Sequence, residues 1–370
     1  MGKARVLFVL FALAPSLLAQ SAQPAPPTAA CNETKLTPRT SFDGPYLELD
    51  FPSLRIGVAE YDEGPTGVTV FYFPKGAIAA VDVRGGAPGT TNTDWLQLGY
   101  DFPSLDAICF AGGSWYGLEA SSGVRAELLA TTQRFPLQEV ANVAGAIVYD
   151  FPGRTNSVYP DRELGRAALR SARPNRFLLG ARGAGRFVNV GKYPNGGFRE
   201  QAGQGGAFRQ IGPTKIAVFT VVNALGAIVD RQGNVVRGFR DPQTGVRLAV
   251  GEVLKRMVAV AEAPKPPAAD EPRAPSTNTT LTLVLANQKL GHWQLRRLAM
   301  QVHASMGRVI HPFQTQRDGD VLFAATTAEI ENPNLPLDAL GALASELAYD
   351  AVMSCIPQKS VGPAVGWARE

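Results

Sequence analysis

Asn278, Thr279 and Thr280 stand where a charged, proline-rich stretch, "DEPRAPST", meets an apolar run, "LTLVLAN". A loose loop that opens directly into a core strand through a hydroxyl residue suits one specific chemistry. The Thr279 hydroxyl can attack the carbonyl of Asn278 and turn the peptide bond into an ester. Water then releases a chain that begins at Thr279. Such a residue carries its own base, because an α-amine has a pKa of ~7.7–8.0 and is partly unprotonated near neutrality. Threonine with its N-terminal amine is an established nucleophile–base pair. Two plainer readings compete: the start of a strand, and an N-x-T glycosylation sequon. Asp318 and Asp320, in "RDGD", read in isolation as a tight turn with solvated carboxylates.

Other chemistries find little support. The chain has 3 histidines and 3 cysteines, with no HExxH and no CxxC, so a zinc enzyme is not expected. No GxSxG occurs, and "GGSWYG" misses that spacing by one position, which disfavours a serine triad. The glycine-rich segment 180–208 lacks the GxxxxGK[ST] of a phosphate loop. No cofactor is expected. A net charge of +4 over 370 residues, without a basic run, gives no reason to expect nucleic acid.

With 45% apolar and 18% charged residues the composition is that of a globular protein. Lys3 and Arg5 precede the apolar run "VLFVLFALAPSLLA" and then small residues, the order of a secretory signal over 1–22, cut after Ala19 or Ala22. The run is short for a membrane span, so no membrane partner is expected after its removal. A lipid anchor at Cys31 is disfavoured because Cys31 lies well beyond the apolar run. Residues 23–45 read as a disordered tail and the protein as exported, to the periplasm or beyond. Oxidising surroundings permit one disulfide, with Cys31–Cys355 the better pairing; Cys109 reads as buried and inert.

These residues must be held by surrounding elements. Residues 46–86 alternate apolar and polar between turn signals and predict three or four strands. Leu118, Val124, Leu128 and Leu129 predict a helical face within 112–132. "ANVAGAIVYDF" reads as a buried strand, and "YPDRELGRAALRSA" as a helix with Asp161 near its start. "KIAVFTVVNALGAIVD" reads as a hairpin turning at Asn223–Gly226. After the linker 262–277 come a strand over 279–286, a helix with Leu295, Leu298, Ala299, Val302 and Met306 on one face, a strand after "RDGD", and a helix facing inward through Leu340, Leu343, Leu347 and Ala351. Sheets packed together with helices outside, an α+β layered fold, follow from this order.

Taken together, "GVAEYDEGPTGVTV", "AVDVRGGAPG", "AGGSWYGLEA", "AIVYDF", "VYPDRELGRAAL", "GQGGAFRQIG", "VVNALGAIVDR", "TNTTLTLVLAN", "QVHASMGRVIHPF" and "DGDVLFAATT" resemble the self-processing aminopeptidase/nylon-oligomer hydrolase family. The resemblance runs from about residue 47 to about 354. It implies an αββα sandwich of the N-terminal-nucleophile type. It also implies one catalytic domain, cut into a large fragment 46–278 and a small fragment 279–370, and homo-oligomers of the cut pair. Residue by residue, it implies Thr279 as nucleophile after cleavage from Asn278. Tyr149 in "IVYDF" and Asn223 in "VVNALG" would line the site, where both can donate to an oxyanion. Lys192 in "VGKY", with Asp318 and Asp320 as paired carboxylates, matches the nylon-oligomer branch; the aminopeptidase branch has serine as nucleophile and a serine/glutamate pair there. A carboxylate near the Thr279 amine would raise its pKa, and the lysine would oppose that rise. The substrates implied are small-molecule or peptide amides, preferentially linear oligoamides. The alternatives are an aminopeptidase or β-peptidyl aminopeptidase of the same family, and an exported binding protein with no enzymatic activity.

Overall fold

The computed structural model describes residues 35–99, 104–132, 140–192, 198–262 and 278–357. Residues 1–22, expected above to be a secretory signal, Cys31, most of the proline-rich linker and the C-terminal residues lie outside the described residues. The main strands are β1 (Arg55–Tyr61), β2 (Thr66–Val83), β3 (Ser104–Ala111), β4 (Val143–Ile147), β5 (Gln204–Ile211), β6 (Thr214–Asn223), β7 (Thr279–Gln288) and β8 (Val321–Ile330). The helices used below are α1 (Glu119–Thr132), α2 (Arg162–Arg170), α3 (Val250–Glu262), α4 (His292–Ser305) and α5 (Leu337–Ser354).

Hydrogen bonding runs through one ten-stranded sheet in the order β5-β6-β7-β8-β2-β3-β4 and then the short strand Thr90–Thr91, with β1 on the other side of β2. The unusual element is β2. Its first half pairs with β1 and β3, its second half with β8, and the register breaks between Tyr72 and Ala77. Pro74, which has no N–H to give a ladder, and Gly76, at φ 77°, lie in that break. The strand bends there, and the sheet folds over on itself as two packed layers. Aromatic rings mark the contact. Phe71 of the β1–β4 layer lies 5.1 Å from Phe219 of β6, and Phe110 of β3 lies 6.1 Å from Phe323 of β8. Helices α1 and α2 cover the first layer and α4 and α5 the second, which gives the αββα order.

Close approach of α2 to β1 depends on a glycine: a Cβ at Gly57 would lie 1.9 Å from the Ala168 carbonyl oxygen. Asp161 caps α2, its carboxylate accepting from the Leu164 N–H at 2.9 Å. On α1, Val124 and Leu128 are buried as expected, whereas Leu129 faces solvent at 49% exposure.

Two further expectations are corrected. Residues 35–45 are not a loose tail. Arg39 exchanges backbone hydrogen bonds with Glu60 and places its guanidinium 2.7 Å from the buried Glu60 carboxylate. A buried carboxylate requires such a counter-charge, and that need ties this segment down. The hairpin at Asn223–Gly226 does not form either. Both edges of β6 are occupied, by β5 and by β7. The strand Ala227–Val229 therefore leaves the main sheet and pairs with Val235–Arg237 and Ile310–His311. Helix α3, which leads into the linker, has no counterpart in the sequence reading. Cys109 and Cys355 are both buried thiols, and burial pushes each up to about 12; the expected partner of Cys355 lies outside the described residues.

Candidate active site

Strand β7 runs through the middle of its layer, antiparallel to β6 and parallel to β8, and every residue in it is buried. Side chains alternate along a strand, so Thr279 shares the inner face with Leu281 and Leu283. Directly opposite Leu283 stands Phe219, one of the rings at the contact between layers. Thr279 thus sits at the mouth of the sandwich, on its inner side, and is itself 4% exposed. Its hydroxyl lies 2.5 Å from the carbonyl oxygen of Asn278, the residue before it.

Facing Thr279 across the ladder is Asn223, the last residue of β6. The Asn223 side-chain oxygen accepts from Lys192 Nζ at 2.8 Å and from the Asn189 N–H at 3.1 Å, and its amide nitrogen donates to the Tyr149 carbonyl at 2.9 Å. Lys192 Nζ also donates to the Asn223 backbone carbonyl at 2.8 Å. Tyr149 therefore reaches the cluster through its backbone; its ring packs edge-on against Phe151, with centroids 5.5 Å apart. Lys192 is partly exposed as a residue, but its amine is enclosed. Burial lowers its pKa to about 7, against the opposing pull of Asp318; Arg199 also lowers it and Asp320 raises it.

The two carboxylates occupy the short segment that leads into β8. Asp318 is 1% exposed and Asp320 fully buried. Asp318 accepts from the Leu225 N–H at 3.2 Å and from both the backbone and hydroxyl of Thr315 at 2.9 and 2.5 Å. Asp320 accepts from the Thr280 N–H at 2.6 Å and the Gln314 N–H at 3.1 Å. Burial and then the charge of Asp318 raise the Asp320 pKa well above its ordinary value, outweighing those donors. A buried carboxyl whose pKa is raised in this way is suited to hold or pass on a proton.

Between them, Gly319 donates its N–H to the Asn278 carbonyl oxygen at 2.8 Å. The loop Gly85–Ala87 closes over the same segment. Ala87 N–H bonds to the Asp318 carbonyl at 2.9 Å, and a Cβ at Gly85 would lie 2.2 Å from the Asp320 nitrogen.

All six expected site residues thus converge on one end of the sandwich, Tyr149 by its carbonyl and the others by their side chains. Sequence reasoning passed over Gly319, Thr315, Gln314, Leu225 and the Gly85–Ala87 loop. Gly319 and the glycine pair were in view, inside "RDGD" and "VRGGAPG". Thr315 and Gln314 carry no motif, and only the fold brings them to the carboxylates. Among the described residues no group of three or more histidines, cysteines or acids gathers that could hold a metal ion.

A chain so arranged has known relatives. The family model described as Peptidase family S58 matches residues 49–364. The 6-aminohexanoate-oligomer endohydrolase of Paenarthrobacter ureafaciens is 45% identical over 329 residues, covering 86% of this chain and 88% of that protein. The enzyme of the same name from an Agromyces strain is 44% identical with the same coverage. Among solved structures, the L-aminopeptidase D-Ala-esterase/amidase of Ochrobactrum anthropi, described as a variant of the Ntn-hydrolase fold, superposes with a TM-score of 0.56 at 16% identity, over 85% of this chain and 88% of that one. The chain belongs to Peptidase family S58 and is an amide-bond hydrolase with the Ntn-hydrolase fold.

Proposed function

We propose that the protein cuts its own chain between Asn278 and Thr279, and that the freed Thr279 then hydrolyses linear amides of the 6-aminohexanoate-oligomer type. The observation that carries this reading is the Thr279 hydroxyl held 2.5 Å from the carbonyl oxygen of the residue before it, at the buried start of a central strand. The names of the 45% and 44% identical relatives support the substrate class.

In the first step Thr279 Oγ1 bonds to the Asn278 carbonyl carbon and loses its proton. The carbon–nitrogen bond breaks, the Thr279 nitrogen takes up a proton, and an ester joins the two parts. Water adds to the ester and leaves an Asn278 carboxylate and a restored hydroxyl. Lys192, with a pKa of about 7, offers a neutral amine one side chain away from Thr279 through Asn223. Asp320, whose pKa burial and the charge of Asp318 raise well above the ordinary value, lies against the Thr280 N–H, one residue beyond the leaving nitrogen, and is the acid of this step. In turnover the Thr279 amine takes the role of base, and the substrate amide passes through the same attack, acyl ester and hydrolysis. Export guided by residues 1–22, and assembly of the cut pairs into oligomers, belong to the same proposal.

Purified protein is expected to give two bands on a denaturing gel, with the smaller beginning at Thr279 by N-terminal sequencing. Thr279→Ala is expected to stay in one piece and to be inactive. An intact single chain that still hydrolyses amides would overturn the mechanism. On processed protein, a 6-aminohexanoate oligomer with a blocked amine is expected to be cut; strict cleavage from a free N-terminus would assign the aminopeptidase activity instead.

A further inference from the structure

The hydrogen bond from Gly319 to Asn278 is, by position, an ordinary rung of the sheet. Asn278 bridges to Asp318 in the parallel sense, and the same ladder continues with Leu281 opposite Val321. A parallel pairing in this register aims the Gly319 N–H at the Asn278 carbonyl oxygen, 2.8 Å away. That carbonyl is the one the Thr279 hydroxyl approaches from the other residue of the same bond.

We propose that the backbone N–H of Gly319 is an oxyanion donor of this enzyme, first for the Asn278 carbonyl during self-cleavage and then for the substrate carbonyl during turnover. The proposal rests on the self-cleaving reading and adds to it the group that stabilises the transition state. When Thr279 Oγ1 adds to the carbonyl carbon, the π electrons move onto the carbonyl oxygen, and a neutral hydrogen bond becomes a charge-assisted one. The donor is fixed by the ladder before the reaction starts, so nothing must reorganise as charge appears. The ester formed in self-cleavage and the acyl ester formed with substrate are the same linkage to Thr279 Oγ1. Once the Asn278 carboxylate has left, the rung loses its acceptor, and the substrate carbonyl takes that place.

This role also explains why the residue between the two aspartates has no side chain. A Cβ on Gly319 would lie 2.7 Å from Thr279 Oγ1 and 2.6 Å from the Ala87 carbonyl oxygen. Any other residue would displace the nucleophile or the loop over it.

The direct test replaces glycine at 319 by glycolic acid during translation, which exchanges the N–H for an ester oxygen and adds no bulk. Removal of one oxyanion donor costs about 10²–10³ in rate, and self-cleavage is expected to slow by about that factor while the melting temperature stays close to that of the Thr279→Ala precursor. In the fraction that does mature, kcat is expected to fall with KM little changed. Gly319→Ala is expected to be folded and largely uncut. Self-cleavage of the glycolic-acid variant at the wild-type rate would overturn the proposal. Wild-type protein run alongside separates the two readings: if it is never cut, self-cleavage itself fails; if it is cut and the glycolic-acid variant keeps pace, only Gly319 fails.

Discussion

Lys192 shows how one residue can couple the site to the stability of the whole protein. Its amine titrates at about 7 in the folded protein, against an ordinary value of 10.5, because burial disfavours the charge more than Asp318 and Asp320 restore it. Between those two values the unfolded chain binds more protons than the folded one, so stability rises with pH across that window. Below about 7 the lysine is charged in both states, and the cost of enclosing the charge is borne in full. Lys192→Met removes this titration. The melting temperature of the variant minus that of wild type is therefore expected to be most favourable to the variant below pH 7, and to shrink as the pH climbs toward 10.5. A difference independent of pH would show that the amine is not enclosed. In the proposed self-cleavage the same enclosure suits the lysine to the role of base, since a base is most effective when its pKa lies near the working pH.

At the level of elements, the layers that hold the site depend on joints between helix and strand. Helix α2 covers the first layer, and its N-terminus hangs on Asp161. The carboxylate takes the Leu164 N–H and, at 2.9 Å, the hydroxyl of Tyr61, which is 1% exposed at the end of β1. One side chain thereby caps the helix and satisfies a buried polar atom of the strand beneath. Asp161→Ala is expected to cost about 1–2 kcal/mol for the cap, with a further loss for the Tyr61 hydroxyl left unpaired in the interior. Denaturant titration measures this; a loss below ~0.5 kcal/mol, less than the usual cost of a cap alone, would show that the helix is held only by its apolar face. Because the Asp161 carboxylate serves Leu164 and Tyr61 and has no part in the proposed attack by Thr279, self-cleavage of the variant is expected to go to completion wherever it is folded.

At the scale of the molecule, the sheet decides what the proposed cut would do. The bond between Asn278 and Thr279 joins an edge-of-strand position to a strand that cannot leave. β7 is bonded on one side to β6, which precedes Asn278 in the chain, and on the other to β8, which is itself bonded to β2, also before Asn278. Helix α5, which follows Thr279 in the chain, packs on β5 and β6. The two fragments are expected to run apart on a denaturing gel and to elute together in native gel filtration, without loss of small fragment on dilution. Dissociation under native conditions would contradict the interleaved sheet.

The sequence by itself determined the local features and the junction. Alternation marked the strands, the 3.6-residue spacing marked α4 and α5, Asp161 marked a cap, and Asn278-Thr279 marked a hydroxyl poised at a strand mouth. These are short-range consequences of side-chain type, and they survive whatever the rest of the chain does. The identities of Lys192, Tyr149, Asn223 and the two aspartates came from family resemblance rather than from any spacing, because residues so far apart in the chain carry no joint period. The tertiary structure alone decided the rest. It bent β2 so that one sheet became two layers, and filled both edges of β6, which sent residues 227–229 elsewhere. Arg39 docked because a buried carboxylate needed a cation. The parallel register of β7 and β8 brought Gly319 to the Asn278 carbonyl. Each of these depends on which strand edges and buried charges remain free once other elements have packed, and that competition is settled only in three dimensions.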